Sequence, residues 1–295
     1  MIDLMRSNDQ HGNSEVTHPL VSIRMPSYNH ASFIEQALTS VLDDPYPNKE
    51  IVIVDDASTD NSDEVIRGWV ARNGDRIPVK YFARETNHGI AKTINQTLSQ
   101  CSGEYIVSLA SDDYLLPGGI LKRVQYLHEN PDKMAVFADC IVVDRNGKLI
   151  ADSGLTEFHH AKISHFRTNS GIRREFILNW SVPGPVLMIR RGVLDVVGGY
   201  DEQRILEDWD LYLRMAAADL IGFTDGVVSA YRVHGNNFCM KPETLLVRLV
   251  DAQQILINNL RLFGTKDKVF LIMKLAKITK KLLKLKIRRL CGQLN

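Results

Sequence analysis

The chain lacks the signals that mark several common protein classes. Its four cysteines, Cys101, Cys140, Cys239 and Cys291, are scattered and form no CxxC pair. That disfavours a disulfide framework and a zinc site. No run of about 18 apolar residues occurs, so no spanning helix is expected. The first residues are polar and have no apolar stretch of the signal-peptide kind. A Gly-x-x-x-x-Gly-Lys-Ser/Thr loop is missing, which removes the P-loop class. No Gly-x-Gly-x-x-Gly follows the first strand, which disfavours a dinucleotide dehydrogenase. A reducing cytoplasm is the setting these absences favour.

Charge is present in balance but not evenly spread. The formal net charge is +1, so no global attraction to nucleic acid is expected. From Lys266 onward there are ten basic residues and one acid, a local +9; the rest holds 26 basic and 34 acidic residues, or −8. An acidic body with a basic tail points to an anionic partner for the tail. Apolar residues make up 44% of 295, enough for one large domain with an appendage.

Residues 1–18 are polar and unpatterned and read as a disordered leader. A regular rhythm then begins. "LVSIRMP", "EIVIVDD", "VKYFAR" and "EYIVSLA" are short apolar runs, and segments of helical spacing separate them. This alternation predicts a mostly parallel α/β sheet with helices on both faces. Asn146-Gly147 between two strand-like runs predicts a hairpin. Residues 153–183 have weak periodicity. Two long helical patterns, 242–263 and 266–290, close the chain.

In an open α/β sheet, ligands bind beyond the carboxyl ends of the strands. Two acid pairs fall there: Asp55-Asp56 after the second strand and Asp112-Asp113 after the fourth. Strand-end acids also cap following helices. Two pairs at one sheet edge favour a divalent cation, which carboxylates hold against a phosphate-bearing ligand. Lys92 sits at a helix start, where a phosphate could be received. Glu207, Asp208 and Asp210 open another helix, where acids complement the helix dipole. A carboxylate there can also serve as a general base.

Seven segments make the pattern specific. "VSIRMPSYNHASFIEQALTSVL", "EIVIVDDASTDNS", "NHGIAKTINQTL", "GEYIVSLASDDYLLP", "GGYDE", "EDWDLYLRMA" and "YRVHGNN" occur in this order. Together they resemble a family 2 glycosyltransferase of the GT-A fold over roughly residues 19–237. The resemblance implies inverting, metal-dependent transfer from a nucleotide-diphosphate sugar. It assigns Pro26, Ser27 and Tyr28 to the base, with Tyr28 stacking on it. Asp55 and Asp56 would contact base or ribose. Asp112 would lie near the ribose and share the metal, and Asp113 would be the direct ligand to Mn²⁺ or Mg²⁺. Asp208 would be the base and Glu207 its supporting acid, with Trp209 lining the acceptor site. His234 would stand near metal or diphosphate. Arg232 could serve a phosphate or a core acid. Many relatives carry an acid where this chain has Ala110. Arg24 is unusual in an apolar strand, and a salt bridge is its simplest explanation.

The tail adds an expectation. Leu271, Leu275, Ile278, Leu282 and Leu285 recur at helical spacing beside a stripe of Lys274, Lys277, Lys281, Lys284 and Arg288. Such a helix packs its leucines on the body or a sister subunit, or lies on an anionic membrane surface, which is favoured here. No aromatics interleave with the basic residues, which disfavours nucleic acid. The expected layout is a leader at 1–18, a GT-A domain at 19–240 and helices at 241–295. The expected function is transfer from a UDP-sugar to a glycan or lipid-linked saccharide acceptor. It would act at the cytoplasmic face of the membrane, in cell-surface polysaccharide synthesis. A non-catalytic scaffold that binds nucleotide sugar is the alternative. A sugar nucleotidyltransferase would need a Gly-rich basic loop where "PSYNHAS" stands.

Overall fold

The computed structural model describes residues 18–235, 237 and 241–290. The expected leader, apart from His18, lies outside them, as do Asn236 of "HGNN", Cys239 and Cys291. The first half follows the expected alternation. β1 (Val21–Ser27), α1 (Ile34–Asp43), β2 (Lys49–Asp55), α2 (Ser62–Asn73), β3 (Val79–Ala83), α3 (Ile90–Gln100) and β4 (Tyr105–Ser108) come in turn. All seven residues of β1 are buried, as befits a strand covered on both faces. β5 (Tyr114–Leu115), α4 (Gly119–Glu129), β6 (Ala135–Val143) and β7 (Leu149–Ala151) follow. Gly147, at φ +83°, turns the chain from β6 into β7, confirming the hairpin. The weakly periodic stretch contains α5 (Asn169–Leu178), whose start is capped by the Thr168 hydroxyl. Then come β8 (Met188–Arg190), α6 (Val193–Val197), α7 (Glu207–Ala217), β9 (Ile221–Arg232), α8 (Leu245–Asn259) and α9 (Thr265–Leu290).

Among the described residues, nine strands form one sheet in the order β3-β2-β1-β4-β8-β6-β9-β5, with β7 on β6. β1 to β4 pair in parallel, and beyond β4 the sheet turns mixed: β8 runs antiparallel to both β4 and β6, while β9 is parallel to β6. The strand order reverses between β1 and β4, the kind of switch point where α/β sheets open a crevice. The β1–β4 ladder ends at Arg24–Ser108, while β1 continues beside β2 to Ser27. Pro26 therefore falls where β4 has already left, so its missing N–H costs no bond on that side.

Helices cover both faces of the sheet. α1, α2 and α4 bury Ile34, Leu38, Ile66, Trp69 and Leu127 on one face. α3, α5, α7, α8 and α9 share the core on the other. The tail is part of this packing. Leu271, Ile278 and Leu282 of α9 are each almost fully buried, worth about 1.5–3 kcal/mol apiece. The leucine stripe thus faces the body, and Lys274 of the expected cationic stripe donates to the Leu178 carbonyl at the end of α5. No helix among the described residues is long and apolar enough to cross a membrane.

Candidate active site

The crevice edge is built from loops that leave β1, β2 and β4. Tyr28 lies just past β1 and is 45% exposed, open to a stacking partner. Behind it, the Ser27 hydroxyl is buried without a partner among the described residues. Asn29, at φ +56°, accepts from the Thr59 N–H at 2.7 Å and so ties the β1 and β2 loops together. The Asp55 carboxylate accepts from the Ser58 N–H and hydroxyl. Asp56 accepts from Arg84 Nη1 at 2.7 Å and from the His88 and Gly89 N–H groups at 2.9 and 2.8 Å. Both acids thus shape loops, and a base or ribose would compete with these partners. Lys92 has an exposed side chain in the first turn of α3.

Asp112 and Asp113, adjacent in sequence, have separate surroundings. Asp112 Oδ2 lies 2.9 Å from His234 Nε2 and 3.8 Å from His30 Nε2. Ligand atoms of these three side chains all lie within 4.8 Å of one another. His30 Nδ1 is 2.8 Å from Ser111 Oγ, a contact that orients the ring and leaves Nε2 toward Asp112. Phe33 packs against both imidazoles. Asp113 turns the other way. Its Oδ1 accepts from the Arg232 N–H at 2.8 Å. The carboxylate that lies beside the imidazoles is that of Asp112, while Asp113, the expected direct ligand, meets the Arg232 backbone through Oδ1. His30, quoted in "PSYNHAS" but given no role, is the residue that sequence reasoning missed. Its position in the loop after β1, at the ligand-binding edge, was the available signal.

Electrostatics follows the geometry. Burial pushes the Asp112 carboxyl up, but the hydrogen bond from His234 and the two imidazoles more than offset this and hold it below its ordinary value. Burial and the Asp112 charge push Asp113 well up. Two imidazoles with one carboxylate make a mixed donor set, richer in nitrogen than the all-oxygen sites Mg²⁺ prefers. The Arg232 guanidinium bonds neutral acceptors within the chain. That group donates to the Asp112 carbonyl, to Gln36 and to the carbonyls of Asp144 and Arg145. It is a clasp that holds the loop beneath the cluster.

The second acid pair opens α7. Asp251 of α8 accepts from the Ile205 and Leu206 N–H groups and pairs with Arg204, so the last helices fix the entry to α7. Glu207 is buried and Asp208 half-buried. Arg24 reaches this region from β1, donating to the Tyr200 hydroxyl at 2.8 Å instead of forming the expected direct ion pair. Tyr200 is held by Asn95 through its N–H and carbonyl. Burial raises the Asp208 carboxyl, opposed by the Arg24 charge and a hydrogen bond from Tyr200. Burial and the Asp208 charge raise Glu207 well above its ordinary range. Trp209 does not line an open site: it is buried and donates to the Phe176 carbonyl at 2.7 Å. Asp210 anchors the helix instead, accepting from Arg214 and Asn259. His165 pairs with the buried Glu175 as part of α5 packing.

Comparison with known proteins bears on family and fold. Residues 22–198 match the family model "Glycosyl transferase family 2". The chain belongs to that family. It is 36% identical over 137 residues to an uncharacterized glycosyltransferase of Haemophilus influenzae, covering 46% of this chain and 54% of that protein. It is 37% identical over 111 residues to a putative teichuronic acid biosynthesis glycosyltransferase, TuaG, of Bacillus subtilis, covering 38% and 43% of the two chains. These matches span about half the length of those relatives. Among solved structures, the mannosyltransferase PcManGT from Pyrobaculum calidifontis, in complex with GDP-Man and Mn²⁺, superposes with a TM-score of 0.64 at 19% identity. That match covers 95% of this chain and 77% of the other. S. aureus TarS 1–349 in complex with UDP-GlcNAc gives 0.62 at 18%, covering 88% and 71%. At this identity the structural matches establish a shared GT-A fold.

Proposed function

We propose that this protein is an inverting glycosyltransferase that moves a sugar from a nucleotide-diphosphate donor to a hydroxyl of a glycan or lipid-linked acceptor. It would act in cell-surface polysaccharide synthesis at the cytoplasmic face of a membrane. The observation that carries the reading is the grouping of Asp112, His234 and His30 at the sheet's switch point. A divalent ion held there, Mn²⁺ or Mg²⁺ as the family resemblance implies, would stabilise the charge of a departing diphosphate. Tyr28 stacks on the base, and Ser27 offers a buried hydroxyl nearby. Asp208 takes the proton of the acceptor hydroxyl, and a raised pKa suits a base that works near neutrality. Arg24 and Tyr200 keep that carboxyl ionised enough to do so. A UDP-sugar is the favoured donor because Tyr28 and Asp56 match the family's uracil-reading positions.

Thermal shift with nucleoside diphosphates, with and without Mn²⁺, tests the donor side. A uridine-selective, Mn²⁺-dependent rise in Tm is expected. Equal responses to all bases would remove the UDP assignment, and indifference to metal would remove the cation site. Incubation with a panel of nucleotide sugars then separates an enzyme from a binding scaffold, since only the enzyme releases nucleoside diphosphate.

A further inference from the structure

The leucines of the tail, which the sequence pattern turns toward a membrane, are buried against the body. A second apolar stripe lies on the opposite side of α9. Val269, Ile272, Met273, Leu283 and Ile287 are each 51–59% exposed. They fall on one helical face, offset by about half a turn from Leu271, Ile278 and Leu282. At the helical rise of 1.5 Å per residue, the stripe is roughly 27 Å long. Exposed Lys266, Lys277 and Lys284 run along one side and Lys286 stands on the other, with Lys280 within it. No acid interrupts residues 268–287. The one acid of α9, Asp267, is buried and bonded to Arg173. Gln253–Thr279 and Arg173–Asp267 bonds hold the helix on the body with this stripe outward.

We propose that the outward face of α9, Val269 to Ile287, docks the folded protein on an anionic lipid surface, with its apolar side chains in the headgroup boundary and the flanking lysines on lipid phosphates. Charge complementarity selects this occupant. A second copy of the chain would bring a like-charged row of lysines against the first, whereas an anionic bilayer answers every one of them. Lys280, amid the apolar residues, can extend its amine to the headgroups while its methylenes remain with the stripe. The helix need not leave the body to bind, so the buried leucine contacts persist in the docked state. This inference rests on the membrane-face reading above and adds which surface makes the contact.

The test is co-sedimentation of the full chain with phosphatidylcholine vesicles, with and without phosphatidylglycerol. Binding to the anionic vesicles is expected to be at least about tenfold tighter and to weaken with salt. Ile272→Glu/Leu283→Glu and Lys277→Glu/Lys284→Glu should each abolish that difference. Neither pair touches the acid clusters, so nucleoside diphosphate release should continue at the parental rate. If the parent does not sediment with anionic vesicles, the proposal is wrong. It is equally overturned if the parent forms dimers in light scattering that the Ile272→Glu/Leu283→Glu variant disrupts, since the face then belongs to a second copy. Failure of the catalytic reading would look different: no nucleoside diphosphate release from the parent, with vesicle binding intact.

Discussion

Two adjacent acid pairs in this molecule have different surroundings. Asp112-Asp113 follows the central strand β4, and two imidazoles and the Arg232 clasp surround it. Glu207-Asp208 opens α7, with one arginine acting partly through a tyrosine hydroxyl. In the first pair, one carboxyl is held down and its neighbour pushed up. In the second, both carboxyls are raised. A pair whose charge is met by metal-ligating side chains suits a cation, and a pair left high and under-compensated suits proton transfer. Acid pairs of similar chemistry acquire different electrostatics from their neighbours.

The sharpest way to break this contrast is Asp208→Asn. Transfer should fall by about 10³-fold while nucleotide binding, measured by calorimetry, stays within about twofold. Full activity would remove Asp208 as the base. Asp112→Asn should act on the other side of the contrast. Activity should drop about 10²-fold and the Mn²⁺-induced rise in Tm should vanish, whereas Asp208→Asn retains that rise. His30→Ala should raise the Mn²⁺ concentration for half-activation by about tenfold with kcat at saturating metal largely kept. An unchanged metal requirement would place His30 outside the cluster.

The smallest effect tests how the second pair is tuned. The base must be ionised, so the rate falls as pH drops through the pKa of Asp208. Arg24 lowers that pKa, so Arg24→Met should move the acid limb of the pH–rate profile to higher pH. If the limb moves by about one pH unit, the rate below it falls about tenfold and the rate above it is kept. A uniform loss at every pH would instead mean that Arg24 serves only to pack Tyr200.

Much of this is legible in sequence because it is local. The alternation of strands and helices, the Asn146-Gly147 turn and the positions of both acid pairs follow from short-range pattern. What is not legible depends on partners far along the chain. Arg24 stands out as anomalous in an apolar strand, but its partner, Tyr200, is 176 residues away. The acids around Trp209 suggest an open site, yet helical spacing turns its ring toward Phe176. The leucines of α9 suggest lipid because hydrophobic periodicity reports that a face is apolar, not what covers it. The second, outward stripe is interleaved with lysines and shows no clean period until the buried set has been subtracted. α5 escapes a reading by pattern because its apolar residues are few and its stability comes from packing against α7 and α9.

The long reach of the first cluster has a consequence for the order in which the protein is made. His234 meets Asp112 across 122 residues, and Arg232 reaches Gln36 across 196. At a synthesis rate of about 5–20 residues per second, roughly 6 to 24 seconds separate the emergence of Asp112 from that of its imidazole partner. During that interval β1 to β4 can pair, because all four strands have already been made. Asp112 and Asp113 then sit side by side on a nascent sheet with neither clasp nor second histidine. The Asp112–His234 contact therefore waits for β9 and the residues just after it. A chain interrupted before that strand carries both aspartates but neither Arg232 nor His234.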